Sequence, residues 1–130
     1  LAELPGADPD RVVAIGYCFG GSAALELARS GRDLAGFVSF HGGLGTPEGQ
    51  DYADVTGEIL ILHGSRDSVS GMEALTDLTA RLDSAGVTYS MEIYGGARHA
   101  FTVWGGERYQ ARADLRSWAA LEDFLRRKLR

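Results

Sequence analysis

The stretch that most constrains this chain is RVVAIGYCFGG, Arg11 to Gly21. Its apolar run Val12-Val13-Ala14-Ile15 reads as a buried strand, and an apolar helical pattern follows Gly20-Gly21. A residue between strand and helix, flanked by glycines two positions before and after, matches the G-x-S/C-x-G turn that presents a nucleophile. Such a turn holds its central residue in a strained conformation, so the residues packed beside it must be small. Gly16 and Gly20 meet that need around Cys18. The helix that follows aims its N-terminus at the sulfur, which favours the thiolate. The same residues also fit a lone buried cysteine in a glycine-rich turn, so the rest of the chain must decide.

Downstream, strand-like and helix-like stretches alternate. Arg11–Tyr17 is the first predicted strand, with the near-continuous apolar character of a strand covered on both faces. The first helix is expected from about Gly20 to Arg29, with Ala23, Ala24, Leu27 and Ala28 on its apolar face and Gly31 as its stop. Leu34–Phe40 is the second strand, ending at His41-Gly42-Gly43. Residues 44–57 lack periodicity and read as a loop. Glu58–His63 is the third strand, and it runs into Gly64-Ser65-Arg66-Asp67-Ser68. A helix from about Met72 to Ser84 carries Leu75, Leu78, Thr79 and Leu82 at helical spacing and stops at Gly86. Thr88–Tyr94 alternates like a strand near a sheet edge. The last helix, about Arg108 to Lys128, is expected to bury Leu115, Trp118, Leu121, Leu125 and Leu129. Residues 1–10 read as a loop. This is an α/β chain with a mostly parallel sheet of about four strands and flanking helices, one domain over 1–130.

Composition narrows the partners. Thirteen basic against 18 acidic residues give a formal charge of −5, which argues against nucleic acid. No apolar run approaches the length of a membrane span, and LAELPGADPD lacks the regions of a signal peptide. The single cysteine forms no internal disulfide, which fits a reducing cytoplasm.

Chemistry is expected at the carboxyl ends of the strands. There Cys18 follows the first strand, Asp67 the third and His99 the fourth. Each alone is ordinary: an aspartate after a strand is commonly a turn or cap, and a histidine in a glycine-rich loop is commonly structural. Together they stand in the order nucleophile, acid, base, which is that of α/β-hydrolases. GYCFGG at 16–21, FHGGLG at 40–45, ILHGSRDSV at 61–69 and YGGARHAF at 94–101 carry a resemblance to the dienelactone hydrolase family, and DPDRVVAIGYCFGG is its most specific block. The resemblance covers nearly the whole chain, but only the later part of that family's α/β-hydrolase fold. It implies Cys18 as nucleophile, His99 as base and Asp67 as the acid that orients it, with the four strands forming one side of the sheet.

In that reading Cys18 attacks the carbonyl of an ester, lactone or thioester, and the backbone N–H of Phe19 donates to the oxyanion. Tyr17, Phe19 and Trp104 are the candidate pocket residues, with Phe101 in the core. No cofactor or metal is required. Metal binding by Cys18, His41, His63 and His99 is a rival without ligand-like spacing in the sequence. His41 and His63 are expected to cap strand ends.

Two departures from the family pattern matter. The second oxyanion donor comes from an earlier section of the fold that has no counterpart here. An arginine shortly after the catalytic histidine, which binds the substrate carboxylate in members acting on dienelactone, is also missing, since Arg108 is the first arginine after His99. A less specific ester or thioester hydrolase is therefore expected, acting on a small molecule. The unpaired first strand could join two copies into a homodimer. The competing readings are a fragment of a longer enzyme, an inactive domain acting through self-association, and a redox-responsive thiol.

Overall fold

The computed structural model describes residues 4–130, so the loop expected over residues 1–10 lies outside the described residues at 1–3. The elements in order are β1 (Val13–Tyr17), α1 (Phe19–Arg29), β2 (Gly36–Phe40), β3 (Glu58–Gly64), α2 (Met72–Ala85), β4 (Tyr89–Tyr94) and α3 (Ala111–Lys128). The four strands form one parallel sheet in the order β1-β2-β3-β4. In register, Ile15 pairs with Val38, Val38 with Leu60 and Leu60 with Ser90. Every residue of β2 and β3 is buried, as their continuous apolar runs require for strands covered on both faces. β4 alternates and forms one edge, while β1 forms the other. The expectation of a first strand covered on both faces is corrected: as an edge strand β1 is only partly buried, with Ile15 and Tyr17 exposed.

The sheet divides the core in two. On one face Phe37, Ile59 and Ile61 pack with Leu25 and Ala28 of α1 and Leu75, Leu78 and Leu82 of α2. On the other, Val38, Phe40, Leu60 and Leu62 pack with Leu121 and Phe124 of α3. The crossover from β2 to β3 is a helix-free loop. It is tied down where the Arg29 guanidinium donates to Gln50 Oε1 at 2.7 Å and to the hydroxyl of buried Tyr52 at 2.9 Å. α2 stops at Gly86, whose φ of 70° is the left-handed conformation expected there.

Two expected helix faces are corrected. On α1 the buried residues are Gly21, Ala24, Leu25 and Ala28, whereas Ala23 and Leu27 are exposed. The elbow sets this rotation, because Gly21 must approach β2: a Cβ there would lie 2.5 Å from Ser39 Oγ. On α3 the buried residues are Ala113, Ser117, Leu121 and Phe124. Leu115 is 70% exposed and Trp118 53% exposed, and Leu129 is also partly open to solvent. The close approach of Phe124 to the backbone of Gly36, where a Cβ would meet its ring at 2.5 Å, turns Ala113 and Ser117 inward and Leu115 and Trp118 outward, while Leu121 stays in the core. Glu58, at the start of β3, pairs with Arg127 and Lys128 and anchors the end of α3.

Candidate active site

Cys18 sits between β1 and α1 with φ 53° and ψ −121°. That is a strained conformation for a residue with a Cβ, and it matches the expected elbow. The turn is locked from both sides: Cys18 N–H donates to Phe40 O at 3.1 Å, and Gly21 N–H donates to Cys18 O at 2.9 Å. Cys18 occupies the N-cap of α1, yet its side chain makes no capping bond. The sulfur instead lies 3.2 Å from Nε2 of His99. The two flanking glycines are not equivalent. A Cβ on Gly16 would sit 1.9 Å from the carbonyl oxygen of Gly20, whereas one on Gly20 would meet nothing within 4 Å.

The loops after β3 and β4 bring Asp67 and His99 to this point. His99 Nδ1–H donates to Asp67 Oδ2 at 3.0 Å, which leaves Nε2 facing the sulfur. Asp67 is buried, and its other oxygen accepts the backbone N–H groups of Val69 at 2.8 Å and Ser70 at 3.0 Å. Both carboxylate oxygens are thus committed, and the aspartate is fixed in place. Phe19 opens α1, so its N–H belongs to the first helical turn, where backbone donors have no partner within the helix.

Two further histidines lie behind these residues. His63 Nε2–H donates to Ser70 O at 2.7 Å and so braces the loop that carries Asp67. His41 bonds through Nε2 to Thr102 Oγ1 at 2.8 Å, and its ring stands edge-on to that of His99 at 5.5 Å. Burial, followed by the neighbouring His99, lowers the His41 pKa to about 4, so this ring is neutral near pH 7. Among the described residues, the non-glycine residues with positive φ are Cys18, His41 (39°) and Ala100 (64°), all in this constellation. One donor atom each of Cys18, His41 and His99 lie within 4.8 Å of one another. Sequence spacing hides that cluster, because the three come from different strand ends; the only signal was His41 closing β2 on the same edge.

The candidate pocket residues are more open. Tyr17 stacks on Phe40 at 4.2 Å, and Phe101 is fully buried against His41 and Tyr94. Phe19 is 86% exposed and Trp104 80% exposed, with the indole N–H of Trp104 held by Asp114 at 2.8 Å.

The model of the dienelactone hydrolase family matches residues 1–129. The chain belongs to that family. A solved relative of the family chain, a dienelactone hydrolase-like promiscuous phosphotriesterase from metagenomic libraries, superposes with a TM-score of 0.91 at 33% identity, covering 100% of this chain and 57% of that one. A probable 2-oxo-3-(5-oxofuran-2-ylidene)propanoate lactonase from Bradyrhizobium sp. is 30% identical over 84% of this chain and 47% of its own length. An uncharacterized protein of Caenorhabditis elegans is 28% identical over 97% of this chain and 85% of its own. This dienelactone hydrolase-family chain thus spans about half the length of the first two relatives, and it carries the side of the α/β-hydrolase fold that holds Cys18, Asp67 and His99. None of its described helices is long and apolar enough to cross a membrane.

Proposed function

We propose that this chain carries the catalytic groups of a hydrolase that cleaves carboxylic ester, lactone or thioester bonds, with Cys18 as nucleophile. The observation that carries the reading is the unbroken relay from sulfur to His99 Nε2 at 3.2 Å and from His99 Nδ1 to Asp67 at 3.0 Å, with the sulfur on a strained elbow. Asp67 fixes the tautomer that leaves Nε2 free to take the thiol proton. The thiolate attacks the carbonyl carbon, and the Phe19 N–H stabilises the oxyanion. Collapse expels the alcohol or thiol, which leaves with the proton held by His99. His99 then draws a proton from water, which cleaves the thioester acyl-enzyme and restores the thiol. The lactonase and phosphotriesterase names of the two relatives support small, activated acyl or phosphoryl compounds as substrates. Phe19 and Trp104 would present apolar surface to the substrate.

The test is hydrolysis of short p-nitrophenyl esters and thioesters, which Cys18→Ala and iodoacetamide should abolish. Folded protein with neither turnover nor a thiol that reacts faster than free cysteine would overturn this reading. It would favour a domain that acts by association through the open β1 edge, where Ile15 is 41% exposed.

A further inference from the structure

We propose that Cys18, His41 and His99 form a binding site for a borderline divalent cation, zinc foremost, whose occupation silences the nucleophile. The three donor atoms lie within 4.8 Å of one another, although they come from three separate strand ends. Zinc–sulfur and zinc–nitrogen bonds of about 2.3 and 2.1 Å place two ligands of one tetrahedral ion roughly 3.3–3.7 Å apart. Cys18 Sγ and His99 Nε2, at 3.2 Å, already stand near that spacing. The third donor must close by about 1 Å to complete a tetrahedral face. His41 is buried, so the adjustment falls to Cys18 and His99, which are partly exposed.

The surroundings suit a metal as well as a proton. A ligating histidine normally donates its second ring nitrogen to an oxygen, which sets its tautomer and raises its basicity. His99 does so to the Asp67 carboxylate. His41 bonds Thr102 through Nε2, while its Nδ1 is buried with no hydrogen-bond partner. One thiolate and two imidazoles select zinc over magnesium or calcium, which prefer oxygen. The thiol proton is released to solvent as the sulfur–zinc bond forms, and water from the open side completes the coordination. Neither sulfur nor metal changes oxidation state. The bound ion takes both the sulfur and the Nε2 lone pair, so coordination and nucleophilic attack exclude each other. That consequence rests on the hydrolase reading, whereas coordination itself does not.

Because Cys18 is the single cysteine, iodoacetamide labelling followed by mass reports on this site alone. Zinc should suppress labelling at one ion per chain, EDTA should restore it, and magnesium should have no effect. His41→Asn should raise the zinc concentration for half-protection about tenfold or more. In case that variant fails to fold, cobalt is added to the unaltered protein, where tetrahedral thiolate coordination gives a thiolate-to-metal charge-transfer band. A labelling rate unchanged by excess zinc, equal protection in a folded His41→Asn, or cobalt without that band would each overturn the proposal. Zinc protection in a protein with neither ester turnover nor a fast-reacting thiol would sink only the hydrolase reading, and turnover without protection only this one.

Discussion

Replacing each elbow glycine by alanine separates the elbow geometry from general packing. In Gly16→Ala the new Cβ falls 1.9 Å from Gly20 O, 2.0 Å from its carbonyl carbon and 2.6 Å from Gly21 N. These are backbone atoms, so no side chain can swing away. Relief to an ordinary contact needs a shift of well over 1 Å between the end of β1 and the first turn of α1, and overpacking of this kind costs about 1–3 kcal/mol or more. The same shift acts on the 3.2 Å approach of Cys18 to His99. A 1 Å misplacement of reacting groups typically costs about 10²-fold in rate, so ester turnover and iodoacetamide reactivity should both drop at least that far. Gly20→Ala meets nothing within 4 Å and lies in helix, where alanine is favoured over glycine by about 0.5–1 kcal/mol. It should keep its reactivity and gain slightly in stability. Urea unfolding with parallel labelling rates would decide. Equal damage from the two substitutions, or a Gly16→Ala protein with native stability and reactivity, would refute the steric account of the elbow.

Asp67→Asn keeps an acceptor for the Val69 and Ser70 amides but presents an amide to His99 Nδ1, reversing the tautomer; kcat should fall about 10³–10⁴-fold with a much smaller change in Tm. His41 is held neutral, with its pKa lowered from 6.5 to about 4. Between those values the unfolded chain binds more protons, so this group's contribution is intact above pH 6.5 and is lost as pH falls towards 4, at up to about 1.4 kcal/mol per pH unit. His41→Gln should flatten that acid limb in urea titrations taken at successive pH values. Glu58→Ala should cost about 1–2 kcal/mol, since it frees the end of α3 and leaves Arg127 and Lys128 without their buried partner, read as a lower urea midpoint at unchanged labelling rate. If copies join along β1, Ile15→Lys should shift the chain towards monomer in light scattering, and a wild-type chain that is monomeric at every concentration would refute that pairing.

β2 and β3 were legible because a parallel strand covered on both faces leaves little choice: FVSF and EILILH are mostly apolar on both faces, and every residue of the two strands is buried. VVAI was legible as a strand but not as an edge, since its apolar run does not show that Ile15 and Tyr17 lie exposed. β4 was legible as an edge from its alternation. That Cys18, Asp67 and His99 come together was legible from their places after three strands, because a parallel sheet gathers every strand's carboxyl end on one side. The helix faces were not. On α3, Leu121 is buried and Leu125 packs beside it, but hydrophobicity also favoured Leu115, Trp118 and Leu129 over Ala113, Ser117 and Phe124, so the stripe was drawn off the buried face. The deciding contact is a glycine on another element: Gly36 admits the Phe124 ring, and that fixes the rotation of the helix. Gly16 and Gly20 looked alike for the same reason, since sequence does not show which of them faces backbone.

The strain around Cys18 explains why the site needs the sheet and not merely its loops. Positive φ in residues with a Cβ costs of order 1–3 kcal/mol each and persists only where neighbours over-determine it. Cys18 and His41 both lie just past a strand end, and the ladder still holds each of them: Cys18 N–H donates to Phe40 O at 3.1 Å and His41 N–H donates to Leu62 O at 2.9 Å. The strand at the elbow is thus held by β2, and the end of β2 by β3. Ala100 is bracketed differently, by the His41–Thr102 bond and by Gln110 N–H on Phe101 O at 3.0 Å. His41 therefore joins the two arrangements, since its backbone is set by the sheet and its ring grips the loop that carries His99. The sulfur-to-imidazole distance is set jointly by the β1–β2–β3 ladder and by this one side chain. Loosening either should lengthen it, even though neither Leu62 nor Thr102 touches the sulfur.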